Sequence, residues 1–271
     1  AEFKALDESR LKSLIRDFPL HKGRVAYVGN RAPSEIAKLL ENGRRRSSPA
    51  PRIPEKLLRP AAPRLIFTHR DMLQTQVGLF AADESFDPNR VVDYQFYSEY
   101  MGGATSSVIF QEVRESRALA YYAAGGHTIV AEKGDDTKIW GALGCQADKT
   151  PEAVKLMMSL LSDFPVSEQR FRQAADSIDA SYRSSPVRFR SIPTNVMGWE
   201  DQGIEGSDPR PRRFAAALKY TLPQLESFGQ RLKSKPMTVW MLGNRERLDL
   251  GQLKALGEFE EVTPPGGSLP V

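Results

Sequence analysis

Three histidines, one cysteine and one dense run of arginines are the residues through which this 271-residue chain could do chemistry unaided. A zinc site needs several imidazole, thiolate or carboxylate ligands converging on one point. His21, His69 and His127 stand about fifty residues apart, and none has a second His at helical spacing. Each is therefore expected to be a surface or strand histidine, and the chain is expected to hold no metal. Cys145, the only cysteine, excludes an internal disulfide and a thiolate zinc cluster. It lies in the alternating run Trp140-Gly-Ala-Leu-Gly-Cys-Gln-Ala with no histidine nearby, which suits a buried core thiol better than a nucleophile. Arg44, Arg45, Arg46, Arg52, Lys56, Arg59 and Arg64 crowd a stretch that also holds Pro49, Pro51, Pro54, Pro60 and Pro63, with Glu55 its only acid. No aromatic residues interleave there to stack bases, so a solvated basic linker is favoured over a nucleic-acid patch.

The elements that would position such residues are legible from periodicity. Hydrophobic residues make up 40% of the chain and charged ones 27%, an ordinary balance for a globular protein, and the net charge of +4 would draw acidic partners at low salt. No apolar run approaches the ~20 residues of a membrane helix. The start, without Met or an apolar leader, reads as a piece of a longer protein; export and compartment stay open. Helices are expected over residues 7–18 and through Ile36, Leu39 and Leu40 up to Gly43, with a short strand at Arg24-Val-Ala-Tyr-Val-Gly29 between them. Strands are expected at 65–67 and 75–81, then a helix over 87–101 ended by Gly102 and Gly103. A Ser-capped helix over 106–115 leads to paired strands at 121–132 and 138–147. Two helices follow, one opened by Pro151 and one over 167–182, then a loop from Ser184 to Pro211. The chain closes as helix, strand Met237–Leu242, helix. That closing unit, with its Met237-Thr-Val-Trp-Met-Leu-Gly-Asn-Arg245, echoes the early Arg24-Val-Ala-Tyr-Val-Gly-Asn-Arg31 between two helices. The first copy is thus expected to close a preceding domain; turn chemistry, which favours Gly-Asn, is the rival explanation.

The run Met101-Gly-Gly-Ala-Thr-Ser-Ser-Val-Ile-Phe-Gln-Glu-Val-Arg-Glu-Ser-Arg-Ala-Leu-Ala-Tyr-Tyr122 resembles the signature of the M16 (pitrilysin- or insulysin-like) zinc peptidases. That signature joins a Gly-Gly loop, Ser-Ser, Leu-Phe-Gln-Glu and Arg-Glu-Lys-Arg-Gly-Leu-Ala-Tyr. The order of elements from about residue 63 to 260 is similar to an M16 domain as well. Ser116 replaces a common Lys and Ala118 a usual Gly; the latter could shift the turn, because only Gly adopts positive φ freely.

The resemblance implies a LuxS/MPP-like metallohydrolase fold, an α/β (α+β) domain with a mostly antiparallel sheet and helices on one face. Expected boundaries are residues 1–43 for the closing unit of a preceding domain, 44–62 for the basic Pro-rich linker, 63–262 for the M16 C-terminal domain and 263–271 for a tail. Active members hold zinc on an inverted H-x-x-E-H motif, which this sequence lacks, so the chain alone is expected to be inactive. The resemblance implies the complementary role, in which Arg114 and Tyr121, seven positions apart, stabilise the transition state at a zinc held by a partner domain or subunit. Gly102, Gly103 and Ser106 would approach the peptide substrate. No nucleic acid is expected as a partner. Similar domains also serve as catalytically silent scaffolds, the alternative function.

Overall fold

The computed structural model describes residues 7–17, 23–41, 52–130, 132–233 and 235–263. By contacts the chain forms two compact units, residues 1–53 with 187–197 and residues 54–186 with 198–271. In the first, α1 (Glu8–Asp17) and α2 (Pro33–Leu40, with Pro33 in its first turn) form at the expected apolar spacing. Leu11, Leu14, Ile15 and Leu39 nevertheless remain exposed. The segment expected as a strand at 24–29 is not one: Val25 and Val28 are exposed and no described strand pairs with it. A strand exists only by its neighbour's hydrogen bonds, so the early copy of the proposed repeat matches the late one in its helices alone. Phe18, His21 and Gly43 lie outside the described residues.

The second unit is built on a six-stranded sheet in the order β3-β4-β2-β5-β1-β6. Its strands are β1 (Arg64–His69), β2 (Gln74–Ser85), β3 (Ala120–His127), β4 (Asp136–Gln146), β5 (Thr238–Gly243) and β6 (Glu258–Glu261). The β2–β4, β3–β4 and β2–β5 pairs are antiparallel, whereas β1 runs parallel to β5 and β6. The unit's helices are α3 (Val91–Ser98), α4 (Thr150–Ser162), α5 (Glu168–Ser184), α7 (Arg210–Ala217), α8 (Leu222–Gln230) and the short α9 (Leu250–Lys254), while α6 (Ile192–Asp201) has residues in both units. Period-two alternation explains the layering. Leu65, Phe67, Val77, Leu79, Ile139, Leu143, Val239 and Met241 share one face of the sheet and are buried. Met157 and Leu161 of α4 come so close to Gly141 that a Cβ there would lie 3.4 Å and 3.2 Å from them. Each such fully buried aliphatic side chain is worth about 1.5–3 kcal/mol of hydrophobic free energy. The opposite face carries aromatics laid across glycines: Trp240, 48% exposed, covers Gly78, and Tyr122 covers Gly144.

Several expectations are corrected. The stretch from 184 to 211 is not all loop, since it contains α6 and the start of α7. β6 was invisible to pattern reading because Glu258-Phe-Glu-Glu261 has poor strand propensity; it forms as an edge strand, where charge is tolerated, with Arg64 paired to Glu260 and Phe259 stacked 6.3 Å from Phe67. The described end of the basic linker, residues 52–62, is docked rather than solvated around 55–59. Lys56 and Arg59 bind the Asp136 carboxylate at 3.0 and 2.7 Å, and the Leu57 N–H donates to it as well. Burial opposes ionisation of Asp136, but these donors and the Ser85 hydroxyl outweigh it and draw its pKa down to about 2. Residues 264–271 of the expected tail lie outside the described residues.

Candidate functional site

The Gly-Gly loop and the helix after it are wound more loosely than a helix-period pattern suggests. α3 continues into a π-helical turn, Glu99–Gly103, and a second π-helical stretch spans Phe110–Glu115 after a short α-helical start at Val108. Such widened turns concentrate at functional sites. A Cβ on Gly102 would lie 2.3 Å from the Gly125 carbonyl oxygen, so glycine at 102 is required for the loop to lie against the backbone of β3. Next along the same edge, Ser98 Oγ both donates to the His127 carbonyl and accepts from its N–H at 3.0 Å. Gly103 is exposed beside Glu99 and lines a cavity, while Ser106 is half-buried in the turn before the helix. The loop therefore packs Gly102 against β3 and Gly103 against the Glu99 side chain, where a Cβ would lie 2.5 Å from Oε2.

The helix ends where the sequence departs from the M16 pattern. Ala118 takes φ = 50°, the only left-handed non-glycine among the described residues. The turn keeps its course: the Ala118 N–H donates to the Arg114 carbonyl at 3.1 Å and Leu119 N–H to that of Val113 at 3.0 Å. Alanine holds the conformation at the cost of backbone strain.

Immediately afterwards β3 opens with a bulge. Ala120 pairs with Cys145 and Tyr122 with Gly144, leaving Tyr121 as the extra residue on an edge strand. A bulge turns its side chain out of the pleat, and Tyr121 is accordingly 75% exposed. It makes no hydrogen bond among the described residues, unlike its neighbour, whose Tyr122 hydroxyl donates to Gln76 Oε1 at 2.6 Å. The two phenols thus occupy different environments. Arg114, half-exposed, rests its guanidinium 4.9 Å above the Phe110 ring and pairs loosely with Glu115 at 3.6 Å. Arg117 and Arg170 are committed elsewhere, both to Glu112, whose carboxyl they hold below its ordinary range.

At the far end of β3 lies a cluster that no local pattern signalled. His127 is buried on the helix-covered face, stacked 4.3 Å from Tyr94, and donates from Nε2 to Asp83 at 2.9 Å. Asp83, also buried, accepts both Arg231 nitrogens and Lys235 Nζ at 2.6 Å. Burial would raise the Asp83 carboxyl, yet these three partners hold it far below the carboxylate range. Burial also pushes the His127 imidazole down, and its Nδ1 has no hydrogen-bond partner among the described residues. His69 sits exposed at the end of β1, accepting from the Arg245 N–H. Cys145 is buried against Thr150 Oγ1 at 3.3 Å, and burial pushes its thiol up. Among the described residues no group of three or more His, Cys, Asp or Glu could hold a metal ion. No helix among them is long and apolar enough to cross a membrane.

A family model described as "Peptidase M16 inactive domain" matches residues 24–177. No curated protein matches the sequence. The fold is similar to that of a peptidase M16 inactive domain from Pseudomonas fluorescens, with a TM-score of 0.69 at 16% identity over 88% of this chain and 58% of that one. It is similar also to a protease from Helicobacter pylori, with a TM-score of 0.59 at 16% identity over 80% and 53%. A chain of Complex III2 from Candida albicans gives a TM-score of 0.57 at 12% identity over 79% and 53%. The present chain thus spans a little over half the length of each of these three.

Proposed function

The chain belongs to the peptidase M16 inactive-domain family, and from that membership we propose that it is the non-zinc half of an M16 peptidase, forming part of a peptide-binding chamber completed by a zinc-bearing partner. A zinc ion bound by the partner would supply the Lewis acid and activated water of peptide hydrolysis. Nothing among the described residues of this chain suits it as a ligand set. What this chain adds is a phenol and a guanidinium. As a scissile carbonyl becomes tetrahedral, negative charge grows on its oxygen, and the Tyr121 hydroxyl and Arg114 N–H groups would donate to that charge.

The observation that carries this reading is the bulge at Tyr121. It leaves the phenol exposed and without a hydrogen-bond partner among the described residues, while its neighbour Tyr122 is engaged with Gln76. A phenol held out by a bulged edge strand contributes little to packing, so its placement is better explained by an external acceptor. Arg114, at the end of the preceding helix and bound among the described residues only to Glu115 and an aromatic face, is similarly available. Residues 1–43 fit the same picture as the closing unit of a preceding domain, because α1 and α2 expose the apolar residues that such a domain would cover. Gly103 and Ser106 would then border the bound peptide.

The test mixes this chain with its zinc-bearing partner and measures cleavage of a quenched peptide by wild type, Tyr121→Phe and Arg114→Ala. Loss of about 10²–10³ in kcat/KM for either variant, with unchanged thermal stability, is the expected result. Wild-type rates in both variants would remove the proposed role. No cleavage by the wild-type mixture would favour the silent scaffold.

A further inference from the structure

The bulge that carries Tyr121 could stand one residue further along β3 with the same strand pairs on either side of it. Ala120 pairs with Cys145 before the bulge and Ala123 with Leu143 after it, and both Cys145 and Leu143 are buried in the core. Between these two pairs β3 has Tyr121 and Tyr122, whereas β4 has Gly144 alone. One tyrosine must therefore face Gly144 and the other must be the extra residue. Because the two side chains are identical, residue type does not choose between the arrangements.

The surroundings of Gly144 do distinguish them. A Cβ there would lie 2.5 Å and 2.9 Å from Cε1 and Cδ1 of Tyr122 and 3.3 Å from Nε2 of Gln76, so the ring and the amide both lie over a residue without a side chain. Gln76 is the β2 partner of Gly144. The Tyr122 side chain thus crosses β4, which stands ~4.8 Å from each neighbouring strand, and its hydroxyl donates to Gln76 Oε1 at 2.6 Å. Any side chain at 144 would take the place of the ring. We propose that Gly144 and Gln76 form a seat for one phenol, and that Tyr122, by filling it, is the positioning residue that holds Tyr121 out on the bulge. The consequence for peptide cleavage rests on the role proposed above for Tyr121, whereas the seat itself does not.

Nitration of this chain alone by tetranitromethane, located by tandem mass spectrometry, tests the seat without a partner. Wild type is expected to react about three to ten times faster at Tyr121 than at Tyr122, whose hydroxyl is engaged. Tyr122→Ser empties the seat, and Tyr121 is expected to move into it and become protected by a similar factor. Loosening of the fold would instead raise the reactivity of Tyr121. Tyr122→Phe keeps a ring over Gly144 and is expected to leave Tyr121 reactive, and adding Gly144→Ala to Tyr122→Ser closes the seat and restores that reactivity. Should Tyr122→Ser fail to fold, Gly144→Ala by itself is expected to lift Tyr122 off Gln76 and raise its nitration to that of Tyr121. With the zinc-bearing partner, Tyr122→Ser is expected to lose about 10²-fold in kcat/KM, as a misplaced group does, and Tyr122→Phe to keep the wild-type rate. The seat is overturned if the two tyrosines of wild type react alike, if Tyr121 stays reactive in folded Tyr122→Ser, or if Gly144→Ala leaves the wild-type pattern. Protection of Tyr121 in Tyr122→Ser with no loss of cleavage upholds the seat and overturns the catalytic role of Tyr121.

Discussion

β3 begins and ends with a side chain that enzymes use, and the fold treats the two in opposite ways. Tyr121 stands on a bulge, 75% exposed, its phenol without a hydrogen bond among the described residues. His127, six residues on, is 4% exposed, its ring stacked between aromatic neighbours and tied to a buried carboxylate. The difference shows that residue type does not assign chemistry. His127 has an acid beside it and would pass a search for a base, yet it is sealed from any substrate and serves packing. Tyr121 has no activating neighbour but retains an unspent donor facing outward.

The comparison is broken most forcefully at the buried end. Asp83→Ala would leave Arg231 and Lys235 without the carboxylate that partners them and is expected to cost about 3–5 kcal/mol of stability. Chemical denaturation measures it directly, and a loss under 1 kcal/mol would mean that the cluster is not structural. At the exposed end the expectation is inverted: Tyr121→Phe is expected to leave stability within about 0.5 kcal/mol while abolishing most peptide cleavage by the proposed assembly with a zinc-bearing partner. Tyr122→Phe sharpens the contrast, since it removes a hydrogen bond worth about 0.5–1.5 kcal/mol and is expected to spare catalysis.

Acid discriminates the two ends as well. Asp83 and Asp136 both titrate below the ordinary carboxylate value of 3.8 in the folded chain. Their contribution is complete above that value and disappears as pH falls through the folded one, for Asp136 toward pH 2. Asp136→Asn is expected to be less stable than wild type at pH 7 and equal to it near pH 2, as read from melts across that range. A constant deficit would separate the effect from ionisation. The smallest expected effect lies at the turn before Tyr121. Ala118→Gly relieves the φ of 50° and is expected to stabilise the chain by up to about 1 kcal/mol, the relief being offset by glycine's freer unfolded state. Destabilisation would show that the alanine methyl has a packing role there.

Much of the architecture was legible because it follows local periodicity. Alternation fixed β2, β4 and β5, and capping with 3.6-residue spacing fixed α4 and α5 to within a few residues. The elements that escaped are those whose existence depends on a partner. The segment at 24–29 has strand-like residues and forms no strand, whereas Glu258–Glu261 has unpromising ones and forms β6 because β1 lies beside it. The proposed pairing of Arg114 with Tyr121 comes from the resemblance alone, since neither spacing nor composition distinguishes those two residues. Asp83 with Arg231 and Lys235 is separated by 148 and 152 positions, so no motif could have announced that cluster.

By itself, then, the sequence determined the family, the layered α/β framework and the absence of an H-x-x-E-H zinc motif, because these reside in residue order and short-range pattern. The tertiary structure alone decided which tyrosine is held out on a bulge and which histidine is sealed. Those outcomes depend on burial and on the geometry of hydrogen-bond partners, and both arise only when distant segments are brought together.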